Sequence, residues 1–125
     1  MNVRESITAA RMNGPSPQPD GAHVFEFCFG ADDPVFAGHF PNRPLLPGIF
    51  QIEMARMAAE WALARPLFIS EVGKAKFLHP IVPDQVVKLN LKLMEENTVV
   101  QVRAGFSVNG RPAGETLLRL CPNAQ

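Results

Sequence analysis

A histidine and a glutamate, two residue types that exchange protons, stand fourteen positions apart in FAGHFPNRPLLPGIFQIEMARMAAE, residues 36–60. His39 lies between Gly38 and Phe40-Pro41, which would hold its imidazole on a rigid turn. Glu53 lies in the apolar run that follows, and a Pro47-Gly48 step separates the two. If Pro47-Gly48 opens a helix, its first N–H groups are unpaired and sit at the positive end of the helix dipole. Glu53 then falls about a turn and a half inside that helix, among Phe50, Ile52, Met54 and Met57. Apolar surroundings favour the neutral form of a carboxyl, so Glu53 is expected to hold a proton. A base, an N–H that polarises a carbonyl and a neutral acid are what loss of water beta to a thioester carbonyl requires.

A plainer account competes with this one. Glu53, Arg56 and Glu60 follow one line of the helix at i, i+3 and i+7, the spacing of a solvent-facing, salt-bridged stripe. A loop histidine needs no catalytic partner. As a metal site the pair fails, because no third ligand stands at a ligand spacing.

The elements that must carry these residues follow from periodicity and punctuation. Residues 3–11, VRESITAAR, alternate and predict a first strand, and 13–21, NGPSPQPDG, predict a turn-forming linker. HVFEFCF, 23–29, puts Phe25, Phe27 and Phe29 on one face of a strand. Residues 30–48 hold four prolines and three glycines in nineteen positions and predict an irregular loop. Residues 49–64 lack Gly and Pro, are apolar around most of the circumference and predict a buried helix ended by Pro66. The period then changes to two: strands are expected over 72–82, 86–94, 98–108 and 111–120. Turns are expected at Pro83-Asp84 and Glu95-Glu96-Asn97, and a tight hairpin at Asn109-Gly110.

Six strands and one long buried helix predict an α+β, hot-dog arrangement, an antiparallel sheet wrapped around one central helix, as a single domain over 1–125. An exposed sheet edge predicts a homodimer or higher homo-oligomer. With twelve basic and twelve acidic residues, no whole-protein field draws the chain to nucleic acid or an anionic membrane. No run serves as a signal peptide or membrane span, so the cytoplasm is the expected location. Cys28 and Cys121 show no metal or redox spacing.

GHFPNRPLLPGIFQIE resembles the active-site segment of the hot-dog 3-hydroxyacyl-acyl-carrier-protein dehydratases of the FabZ and FabA type: a GHFP turn, a PG at the helix start, then an acidic residue. GKAKFLHPIVP resembles the family's following strand, and the likeness spans roughly residues 23–120. It implies His39 as catalytic histidine, Glu53 as catalytic carboxylate and the Gly48 N–H as donor to the thioester oxygen. It also implies a site shared between protomers, no metal or organic cofactor, and an acyl thioester on acyl carrier protein or coenzyme A as substrate. Glutamate at position 53 is similar to the dehydratase-only branch. The chain departs from the pattern in its short N-terminus, in Met57 where a glutamine is usual, and in lacking a glycine at Pro83-Asp84. In outline it resembles shorter members that act in specialised acyl pathways such as aryl polyene synthesis. A hot-dog thioesterase and a non-catalytic accessory subunit are the rival functions. His23 and His79 are expected to be structural or solvated, Trp61 and the helix methionines to line core or tunnel. Arg43, Lys74 and Lys76 are expected either to rim the site for an acidic carrier or to be solvated.

Overall fold

The computed structural model describes residues 2–37 and 44–123. In chain order these form α1 (Val3–Ala10), β1 (Arg11–Pro17), β2 (His23–Cys28), a 3-10 turn (Pro34–Phe36), α2 (Gly48–Leu63), β3 (Phe68–Phe77), β4 (Val86–Glu96), β5 (Val99–Val108) and β6 (Arg111–Cys121). The strands make one sheet in the order β1-β2-β4-β5-β6-β3, with every neighbouring pair antiparallel. The sheet curls round α2, whose Phe50, Met54, Ala55, Met57, Ala58 and Ala59 are buried against it. This is the hot-dog arrangement that the strand and helix count predicts.

Most elements follow from their local chemistry. Inward residues of β4 and β5 (Val87, Leu89, Leu91; Val100, Val102, Ala104, Phe106) alternate with exposed ones and are nearly inaccessible. Asn109 and Gly110 take φ of 52° and 78°, the left-handed pair that a two-residue hairpin needs. The turn after β4 falls later than expected: the strand runs to Glu96, and Asn97 with φ 59° reverses the chain. Ala64, in the left-handed region with φ 55°, ends α2 two residues before Pro66.

The N-terminal expectation is corrected. Residues 3–10 form a helix, not a strand: the Asn2 side chain accepts from the Glu5 N–H at 2.8 Å, and Ile7 and Ala10 bury one helical face. The first strand instead occupies the stretch read as a linker. Among the described residues it is an edge strand paired only with β2, with register shifts at Arg11/Asn13 and Asn13/Ser16, which is where prolines are tolerated. Gly14 sits there at φ 109°, and a Cβ on it would lie 2.6 Å from the Phe25 ring. β3 is also displaced from 72–82. It starts at Phe68, where Cys121 of β6 offers a partner, and stops at Phe77 ahead of Pro80.

Candidate active site

The start of α2 builds the first half of the site. Pro47 is the N-cap residue and, among the described residues, no side chain caps the helix, so the first-turn N–H groups point out of its end. The aromatic ring of Phe77, at the end of β3, lies directly on Gly48: a Cβ there would stand 2.6–3.0 Å from three ring carbons. Beside them opens a cavity of about 230 Å³, walled by Leu45, Leu46, Gly48, Gln51, Phe77, Leu78, His79, Pro80 and Ile81. A carbonyl oxygen entering here would meet the positive end of α2.

Two polar residues of this wall were not assigned a part by sequence reasoning. Gln51 is 2% exposed, its amide lies against Gly114 of β6, and its Oε1 accepts no hydrogen bond among the described residues. The signal for it was a lone amide on an otherwise apolar helix face. His79 lines the same cavity and is exposed, in keeping with the solvated or structural part expected of it.

Glu53 is the candidate for the second half, and its surroundings are ionic rather than the apolar ones expected to keep it protonated. The Arg56 guanidinium donates from both Nε (2.6 Å) and Nη2 to Glu53 Oε1. Its Nη1 donates to the Leu67 carbonyl at 3.0 Å and lies 3.0 Å from Glu60 Oε2, which in turn accepts from the Leu67 N–H at 2.9 Å. Arg4 of α1 reaches Glu60 Oε1 at 3.6 Å. Burial works against the Arg56 charge, but its hydrogen bonds and the attraction of both carboxylates outweigh it and hold the guanidinium above its ordinary value. Glu53, Arg56 and Glu60 thus pair as their spacing allows. They are not a solvent-facing stripe, because their side chains are only 26%, 13% and 13% exposed.

Gly48 and Glu53 are separated by about 7.5 Å along the helix and about 140° around it. The Gly48 N–H leaves the end of α2, whereas Glu53 leaves its side. His39, with Gly38 and Arg43, lies outside the described residues. Of the other expected rim cations, Lys74 pairs with Glu115 at 3.2 Å and Lys76 is exposed on β3. A larger depression of about 470 Å³ lies on the outer face of the sheet, over Lys92, Arg103 and Arg119, and contains none of the candidate catalytic residues. The smaller cavity at α2 is lined by one of them, Gly48, and Glu53 is not part of its wall. Among the described residues no cluster of metal-ligating side chains occurs, and no helix is long and apolar enough to cross a membrane.

Known proteins agree with this architecture. The sequence pattern of the ApeI-like family, described as ApeI dehydratase, matches residues 16–111. The chain is similar to the 3-hydroxyacyl-acyl-carrier-protein dehydratase FabZ of Clostridium botulinum, 34% identical over 96 residues, which cover 70% of this chain and 67% of that protein. Its fold matches a chain of the dehydratase heterocomplex ApeI:P from Xenorhabdus doucetiae, with a TM-score of 0.71 and 25% identity over 87% of this chain and 92% of that one. A hypothetical thioesterase from Streptococcus pneumoniae, solved with coenzyme A, shares the fold alone: TM-score 0.67 at 8% identity over 92% of this chain and 88% of that one.

Proposed function

Because the chain belongs to the ApeI-like dehydratase family, we propose that it removes water from a 3-hydroxyacyl thioester, carried by acyl carrier protein or coenzyme A, to give the trans-2-enoyl thioester. One observation carries this reading. A single helix presents an N-terminus with no side-chain cap among the described residues at a mostly apolar cavity and, a turn and a half later, a carboxyl group held in a fixed orientation.

In this reading the Gly48 N–H donates to the thioester oxygen and stabilises the negative charge that develops there. His39 accepts the alpha proton. Glu53 protonates the departing beta hydroxyl, so water leaves and the alpha–beta double bond forms. Because Arg56 pairs with Oε1, Glu53 must first take up a proton on Oε2 in order to give it to the hydroxyl, and His39 afterwards releases the alpha proton to solvent. No metal or organic cofactor takes part. The chain acts in the cytoplasm, in fatty-acid or related acyl synthesis.

The working unit in this reading is a dimer. β3 is a terminal strand, and Phe68, Val72 and Phe77 along it, with Leu78 just after it, are 41–52% exposed, and Ile49 of α2 is at 63%. The 230 Å³ cavity falls below the roughly 300–1,000 Å³ of a complete ligand site. A second copy against β3 would cover those side chains, extend the cavity and allow His39 of one protomer to face Glu53 of the other.

Purified protein given 3-hydroxyacyl thioesters of several lengths, with enoyl absorbance and thiol release followed together, tests the reaction. Enoyl product without free thiol is expected, with a rate that falls on both sides of a pH optimum. Thiol release from acyl thioesters lacking a 3-hydroxyl would assign the chain to the thioesterases instead.

A further inference from the structure

We propose that Arg56 is the positioning residue of this site: it fixes one oxygen of Glu53 and leaves the other as the sole oxygen that can meet substrate. The inference rests on the catalytic reading of Glu53 given above. Two donors of one rigid guanidinium, Nε and Nη2, converge on Oε1, while Oε2 accepts no hydrogen bond among the described residues. A planar fork that engages a carboxylate in this way limits rotation about the last side-chain bond of Glu53.

Arg56 can fix Glu53 only if it is itself fixed, and the structure supplies the anchor. Nη1 binds the Leu67 carbonyl and Glu60 Oε2, both at 3.0 Å, and Glu60 closes the ring by accepting from the Leu67 N–H. Leu67 is fully buried at the entry to β3, so the anchor is backbone at the point where the sheet resumes after the helix. The same ring joins the orientation of Glu53 on α2 to the start of the strand whose far end, Phe77, packs on Gly48. Arg56 itself lies beyond Glu53 along α2, about 12 Å from Gly48, and does not line the cavity. A lysine at this position carries the charge but not the fork, and cannot reproduce three donors in one plane.

The test is steady-state kinetics of the full chain on a 3-hydroxyacyl thioester, comparing Arg56→Lys, Arg56→Ala and Glu53→Gln with the parent. Misplacing a reacting group by about 1 Å costs up to roughly 100-fold, so Arg56→Lys is expected to lose at least about tenfold in kcat with KM within about twofold. Added guanidinium should restore part of the kcat of Arg56→Ala without changing KM, which a loss caused by loosened folding would not show. Parental kcat in folded Arg56→Lys, or an Arg56→Ala defect that tracks melting temperature and ignores guanidinium, overturns the inference. If Glu53→Gln turns over normally, the catalytic reading of Glu53 falls first. If Glu53→Gln is inactive while Arg56→Lys is normal, only the positioning role of Arg56 falls.

Discussion

At the scale of single residues, Glu53 is an ion-paired, half-buried carboxylate, and its proposed catalytic part is for substitution to decide. Its partner Arg56 bridges two carboxylates, so Arg56→Met strands Glu53 and leaves Glu60 with the Leu67 N–H and Arg4 alone, in partly buried surroundings. It should destabilise the fold by about 1–3 kcal/mol, read by urea or thermal unfolding. Glu53→Gln leaves Arg56 its contacts with Glu60 and Leu67 and should cost less than about 1 kcal/mol. Gly48 can be dissected separately. Both Gly48→Ala and Gly48→Pro add a Cβ that must displace the Phe77 ring, but only proline removes the N–H. Proline is tolerated at the first helical position, and Pro47 already has the extended ψ of 144° that a following proline demands. Turnover of Gly48→Pro about 100-fold below that of Gly48→Ala is expected, and equal rates would remove the N–H from the mechanism. The i, i+3, i+7 line was legible in the sequence because it is a property of the helix alone. Its burial was not, because Leu67 and Arg4 approach from outside the helix.

At the scale of elements, local signals succeeded where a segment's own residues decide its conformation. Phe25, Phe27 and Phe29 alternate, α2 lacks breakers, and Asn109-Gly110 adopts the turn its residue types favour. The same logic failed at the N-terminus. In VRESITAAR, Val3, Ile7 and Ala10 also satisfy helical spacing, and capping by Asn2 favours the helix over the strand. The prolines after it argued against a strand, yet an edge position leaves one side of β1 without sheet partners and removes that objection. Gly14 marks the place. Gly14→Ala meets both a φ of 109° and the Phe25 ring, and should lower stability by roughly 1–3 kcal/mol, measured as a shift in the unfolding midpoint.

At the scale of the whole molecule, one buried helix plus several period-two segments was enough to indicate a sheet wrapped round a helix. The strand order was not legible, because β3 joins the far edge beside β6 through pairings that no local pattern encodes. That edge is where the proposed dimer forms. Val72, 46% exposed on β3, contributes to the apolar surface there, so Val72→Lys should shift light scattering from dimer toward monomer and lower activity in parallel. A strictly monomeric parent protein with full activity would contradict the shared site.

The most direct measurement is the dehydration rate of Glu53→Gln on a 3-hydroxyacyl thioester, taken beside its melting temperature and the parent's. Glutamine keeps the size and hydrogen-bonding capacity of Glu53 but cannot deliver a proton to the leaving hydroxyl. Enoyl product from the parent, a near-parental melting temperature for Glu53→Gln and loss of its turnover are predicted. Parental turnover by Glu53→Gln would show that the ion pair with Arg56 is structural and that the proton comes from elsewhere.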